Sequence, residues 1–161
     1  MNGVYIRDLA DEQLADLMLP FITGGAEECI DRDYLIRIVP LIKERMKTLL
    51  ESKDITSYFF DSDVGCSKTQ IIQKGMDSLQ TSTALKNIIS AVHELNPFLS
   101  ANIEEVLRTA CEESDLKPRE FFGLIRSAIT GRDATPPLFE LIEVLGKDST
   151  VLRLEKALTL L

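Results

Sequence analysis

A chain of 161 residues with 45% hydrophobic and 27% charged residues has the composition of a globular protein, with room for one domain or two small ones. A formal charge of −8 is the wrong sign for a protein that coats itself with nucleic acid by bulk attraction, and neither half is basic. No apolar run reaches the ~20 residues that a membrane-spanning helix needs, so no membrane partner is expected. Three widely spaced cysteines (Cys29, Cys66 and Cys111) fit reduced thiols better than a disulfide framework. With no basic leader followed by an apolar core at the start, a cytoplasmic location is expected.

Taken in chain order, the elements read as helices. Asp8 or Asp11 stands where a first helix would be capped, with Leu14, Leu17, Met18, Phe21 and Ile22 at helical spacing, and Gly24–Gly25 ends it. A second run from about Asp33 places Leu35, Ile38, Val39, Ile42, Met46, Leu49 and Leu50 on one side; Pro40 either kinks it or starts a fresh helix. Residues 54–61, DITSYFFD, read as a helix end packed on the first two helices. The stretch 62–82 is polar and glycine-containing, with weak helical patterning. From Ser82 to Leu95 a clean face returns: Leu85, Ile88, Ile89, Val92 and Leu95.

Asn96–Pro97 breaks the chain, because proline disfavours the helical region for the residue before it, and a subdomain boundary is expected there. Beyond it, Asn102 and Glu105 have the spacing of a capping box for a helix through Ile103, Val106, Leu107, Ala110 and Cys111. Pro118 opens the next helix, with Phe121, Phe122, Leu124, Ile125 and Ile129 as apolar positions. Pro136–Leu145 and Thr150–Leu160 complete the series. There is no alternating strand pattern and no fixed-period repeat. The expected fold is all-α, with two tandem helical subdomains over residues 1–96 and 97–161.

A catalytic centre is hard to build from these residues. His93 is the single histidine and reads as a helix-surface residue. No Cys-x-x-Cys or His-x-x-x-His spacing offers a metal site, and no glycine-rich phosphate loop is present. The acid pairs Glu27–Glu28, Glu104–Glu105 and Glu112–Glu113 read as solvated faces or as helix-start charges favoured by the dipole.

The most informative stretch is 126–158, RSAITGRDATPPLFELIEVLGKDSTVLRLEKAL. Gly131, Pro136–Pro137 and Gly146 punctuate two short helices, so Arg126, Arg132, Thr135 and Leu138 are expected to crowd around one exposed corner. This string resembles the end of a bacterial-type glutamyl-tRNA synthetase, where an arginine, a "TG" turn, a "PPLF" segment and a closing "LG…RL…AL" helix recur in this order. The opening NGVYIRDLADEQL resembles the point where that family's chain enters its anticodon-binding portion, and YLIRIVPLIKERMKTLLE followed by SYFF resembles that portion's first helical subdomain.

The resemblance implies a module that recognises the anticodon loop of tRNA(Glu), rather than DNA, and that is joined to the rest of a synthetase chain; it leaves open whether the parent serves the glutamate tRNA alone or also charges tRNA(Gln). The parent would join glutamate to its tRNA using ATP and Mg. The family's "HIGH"-like and "KMSKS"-like motifs do not occur here, so this part is expected to be a fragment with no catalysis and no cofactor of its own.

By motif match, Arg126, Thr135 and Leu138 would contact the first two anticodon bases. Arg45, with Arg37 as the other candidate, would read the third. The chemistry suits an unstacked loop, since a guanidinium offers planar paired donors to a base edge or phosphate. Each residue also has a plainer reading: Arg126 bridging to Glu120 or Asp133, Thr135 capping a helix before Pro136, and Leu138 in the core. The alternative for the whole chain is an acidic helical protein-interaction domain, with an apolar groove between its subdomains that accepts a partner helix.

Overall fold

Apolar residues recurring every three to four positions, cut by glycine and proline, produce a chain of helices. A computed structural model describes residues 3–24 and 29–161; Gly25, Glu27 and Glu28 lie outside the described residues. Among the described residues there is no strand, and no helix is long and apolar enough to cross a membrane. The all-α expectation holds. The chain divides into two units, Met1–Asp61 and Ser62–Leu161.

The first unit contains α1 (Gly3–Asp8), α2 (Asp11–Thr23), α3 (Arg32–Ile42), a 3-10 turn at Leu49–Glu51 and α4 (Ser52–Phe60). Leu14, Ala15, Met18 and Ile22 form the buried face of α2, which packs on α3 and α4. Gly24, in the left-handed region at φ +60°, ends α2 as expected. Neither Asp8 nor Asp11 caps it. Asp8 closes α1, and Asp11 lies inside the first turn of α2, where its carboxylate meets Lys43 Nζ at 3.1 Å.

Asp31 caps α3 by accepting the backbone N–H groups of Asp33 and Tyr34. Pro40 does not start a fresh helix; α3 runs across it and ends two residues later. That early end explains a miss in the predicted core. Leu35, Ile38, Val39, Ile42 and Met46 are fully buried, yet Leu50 is 78% exposed, because the helical phase is lost after Ile42 and Leu50 lies within the separate 3-10 turn. The expected helix end at 54–61 is α4, with Tyr58 and Phe59 buried.

The second unit contains α5 (Lys68–Ile71), α6 (Ser78–Glu94), α7 (Ser100–Glu113), α8 (Pro118–Thr130), α9 (Leu138–Leu145) and α10 (Lys147–Thr159). Asp77 and Gln80 form a reciprocal cap, each side chain accepting the other's backbone N–H, so α6 starts four residues before Ser82. This helix packs along α10 and α7. The division therefore falls between Asp61 and Ser62 rather than at Asn96–Pro97, which only connects α6 to α7.

Asn102 does not cap α7. The helix begins at Ser100, whose N–H is taken by the Glu143 carboxylate of α9, a partner 43 residues away. Phe121, Leu124, Ile125 and Ile129 of α8 lie at the centre of this unit's core, with Leu85, Ile88, Ile103, Leu107, Leu141, Ile142 and Leu154 around them. All three cysteines are unbonded thiols: Cys29 is exposed, Cys66 half-buried and Cys111 buried.

Candidate functional site

The last turn of α8 is fixed from four directions. Gly131 stops the helix at φ +66°, and a side-chain carbon there would lie 2.5 Å from the Val64 carbonyl oxygen, so both conformation and space require glycine. The Thr130 hydroxyl donates to the Arg126 carbonyl at 2.7 Å and accepts the Arg132 N–H at 3.1 Å. Gln70 Nε2 donates to the Gly131 carbonyl at 3.3 Å. From α10, the buried Arg153 donates Nη1–H to the Ile129 carbonyl at 2.7 Å, satisfying an oxygen that a helix end leaves unpaired. Much of the "TG…RL" pattern thus serves to hold this turn.

On that turn sits Arg126, half-buried, with Nε donating to Thr135 Oγ1 at 3.2 Å. The Thr135 hydroxyl in turn donates to the Pro136 carbonyl at 3.1 Å. Beside Arg126 lies an open depression of about 510 Å³. Arg119, Phe122 and Arg126 of α8 line it, with Leu138 and Phe139 of α9 and Arg108 of α7.

The two rings meet edge to face, with Phe122 and Phe139 centroids 5.8 Å apart at 86°. The Arg108 guanidinium lies 5.7 Å above the Phe139 ring and is held by Glu104 at 2.7 Å. Glu140 is the acidic residue of the lining. A chain of net charge −8 therefore gathers three arginines and two aromatic rings at one place, and such a local field outweighs the total at short range. Guanidinium groups can bind phosphates or base carbonyls, and the rings offer faces to planar heterocycles.

Three of the predicted residues come together here. Arg126 makes no ion pair with Glu120 or Asp133 among the described residues, so its plainer reading fails. Thr135 is not a helix cap either: α9 is preceded by Pro137, and the threonine hydroxyl serves Arg126 and Pro136. Leu138 is 4% exposed, so it is core while also bordering the depression. Arg132 does not line it.

Arg45 belongs to the first unit, exposed in the turn after α3 with its N–H on the Ile42 carbonyl at 2.9 Å; Arg37 is exposed on α3 itself. Sequence reasoning missed Arg108, Arg119, Phe122 and Phe139 as site residues. The spacing of Arg119, Phe122 and Arg126, three and then four apart, was a readable stripe. Arg108 and Phe139 had no local signal. His93 is exposed on α6, and no group of His, Cys, Asp and Glu among the described residues could hold a metal ion.

Comparison with known proteins gives these features a context. The family model described as an anticodon binding domain matches residues 13–158. The glutamate–tRNA ligase of Roseiflexus sp. (strain RS-1) is 41% identical over 162 residues, covering 98% of this chain and 32% of that protein. The glutamate–tRNA ligase of Roseiflexus castenholzii is 39% identical over 166 residues, covering 100% and 33%. The chain thus spans about a third of the length of the curated relatives it matches. Among solved structures, a glutamate–tRNA ligase from Elizabethkingia meningosepticum in complex with its amino acid superposes with a TM-score of 0.83 at 20% identity, covering 98% of this chain and 31% of that one. At that identity the likeness speaks for the fold.

Proposed function

Because the chain belongs to the anticodon-binding domain family, we propose that it is the anticodon-reading module of a glutamate–tRNA ligase, with tRNA(Glu) as its partner. The observation that carries this reading is the fixed Arg126 guanidinium at the arginine- and phenylalanine-lined depression. An anticodon presents unstacked bases in a single-stranded loop, and these can be read on their pairing edges while their faces stack. Arg126 uses Nε on Thr135, and its terminal nitrogens hydrogen-bond no described residue; those donors serve a base edge or a phosphate. Thr135 aims Arg126, Leu138 closes the apolar side, and Arg108 and Arg119 supply positive charge for the loop's backbone.

In this reading Arg126, Thr135 and Leu138 serve the first two anticodon bases. Arg45 serves the third, the base that separates tRNA(Glu) from tRNA(Gln). Glutamylation itself, with ATP and Mg, falls to a catalytic region of the ligase, and this chain contributes recognition.

The test is a titration with the anticodon stem-loop of tRNA(Glu), beside the same stem-loop with its anticodon changed. Resonance shifts on residues 119–139 for the cognate loop, and affinity that falls with added salt, are expected. Arg126→Ala should cost on the order of 1–3 kcal/mol of binding with the fold intact. Unchanged affinity for the cognate loop would remove Arg126 from the site. For the third base, Arg45→Gln should change the ratio of affinities for the tRNA(Glu) and tRNA(Gln) stem-loops; an unchanged ratio rejects that assignment.

A further inference from the structure

Helix α7 has two faces of opposite character. Toward α8 and α9 it presents Arg108, paired with Glu104. Toward α6 it presents Glu105, Thr109 and Glu113, which line a trough between the two helices. The trough consists of two depressions of about 310 and 440 Å³ that share Asn87 and Glu113.

Small and apolar side chains line the trough, Ala84 and Ala91 two turns apart on α6 and Val106 and Ala110 one turn apart on α7. Leu79, 76% exposed, stands at one end. On α6 the lining runs from Leu79 to Ala91, which at about 1.5 Å per residue is roughly three helical turns. Side chains spaced this way leave a groove into which the ridge of another helix fits, and alanines allow its backbone to approach closely.

Charge identifies the occupant. Glu105, Glu113 and Asp115 line the trough, and no lysine or arginine does. None of the three carboxylates forms an ion pair among the described residues. A nucleic acid is repelled from such a surface. A helix with a narrow apolar stripe flanked by lysine or arginine matches both the floor and the rim.

We propose that the α6–α7 trough docks a basic amphipathic helix of a partner protein, on a surface separate from the arginine-lined depression. Because α7 keeps its basic and acidic faces apart, both surfaces can be occupied at once. This inference stands on the trough alone and does not depend on what fills the depression.

The probe is a synthetic helical peptide of about 18 residues carrying an alanine–leucine stripe flanked by lysines, long enough to span the roughly three turns of the trough with a turn to spare at either end. A peptide of the same composition with its order scrambled is the control. Titrated into the isotope-labelled chain, the amphipathic peptide should shift residues 79–91 and 105–116 and bind about tenfold more tightly than the scrambled one. Replacing two of the three acids together, Glu105→Lys with Glu113→Lys, should weaken it about tenfold and leave affinity for the anticodon stem-loop unchanged. Thr109→Gln, which narrows the trough without adding a charge beside those acids, should also weaken peptide binding. Equal binding of the scrambled peptide, shifts centred elsewhere, or no saturation near millimolar peptide would each overturn the proposal.

Discussion

Arg126 Nε, on α8, and Thr135 Oγ1, in the segment that leads into α9, lie 3.2 Å apart although nine positions separate them in the chain. The threonine has one hydroxyl proton, and it is given to the Pro136 carbonyl, so a lone pair faces the guanidinium. Thr135 thus fixes the direction of Arg126 without spending the arginine's terminal donors. Thr135→Val keeps the shape and removes the acceptor. We expect stem-loop binding to weaken by about 0.5–1.5 kcal/mol, the net worth of one such hydrogen bond. In a double-mutant cycle, Arg126→Ala should cost less in the Thr135→Val background than alone. Strict additivity of the two losses would show that Thr135 acts independently.

Gly24 and Gly131 separate two reasons for glycine. Both end a helix in the left-handed region, at φ +60° and +66°. Nothing lies within 4 Å of where a side-chain carbon would stand on Gly24, whereas on Gly131 it would meet the Val64 carbonyl oxygen at 2.5 Å. Gly24→Ala should therefore cost only the conformational term, about 1–2 kcal/mol. Gly131→Ala should cost more than that, and should also weaken stem-loop binding because the turn beneath Arg126 must move. Denaturant melts of the two variants, with stem-loop titration of the second, check both statements. Equal destabilisation would mean that the Val64 segment yields freely.

What could be read from the residues, and what could not, divides along the range of the interactions. Helix stops at Gly24 and Gly131 and the start at Pro118 were legible because each acts on its own few residues. The cap of α7 was not legible, because Glu143 reaches Ser100 from another helix and displaces the local candidate Asn102. Asp11 likewise looked like a cap and is an ion-pair partner of Lys43. The division of the chain was misplaced for the same reason: α6 ends at a visible break but packs on α10, far downstream. In the candidate site, Arg126, Thr135 and Leu138 lie close in sequence and could be grouped through their motif. Arg108 and Phe139 meet only when three helices cross.

Arg153 offers a test of how the motif holds the fold rather than the ligand. It is 8% exposed and donates to the Ile129 carbonyl at the end of α8. Arg153→Met keeps much of the packing volume and leaves that carbonyl without this donor. A loss of about 1–3 kcal/mol in urea denaturation is expected, the usual cost of stranding a buried polar group. Arg153→Lys should recover only part of it, since a point charge does not reproduce the planar fork. Wild-type stability in Arg153→Met would show that the bond is dispensable.

Two exposed aspartates make stability depend on acid in a defined direction. The hydrogen bond from Lys156, 2.7 Å away, holds the Asp63 carboxyl below the ordinary carboxylate range, helped by the Gly65 N–H and the charge of Lys156. Arg32, bonded to Asp16 at 2.7 and 2.9 Å, does the same to Asp16 in the first unit. A carboxyl whose folded pKa is lowered contributes its full stability above the unfolded value. That contribution is lost as pH falls through the folded value. Both aspartates are open to solvent, so the effect is small and is screened by salt. Melting temperatures of Asp63→Asn and the unchanged chain should therefore differ near neutral pH and converge as pH falls through the lowered folded value and the Asp63 carboxyl takes up its proton. Added salt should narrow the gap at neutral pH. A gap of the same size at both ends of the titration would mean that the Asp63 side chain stabilises by shape and hydrogen bonding, with no contribution from its charge.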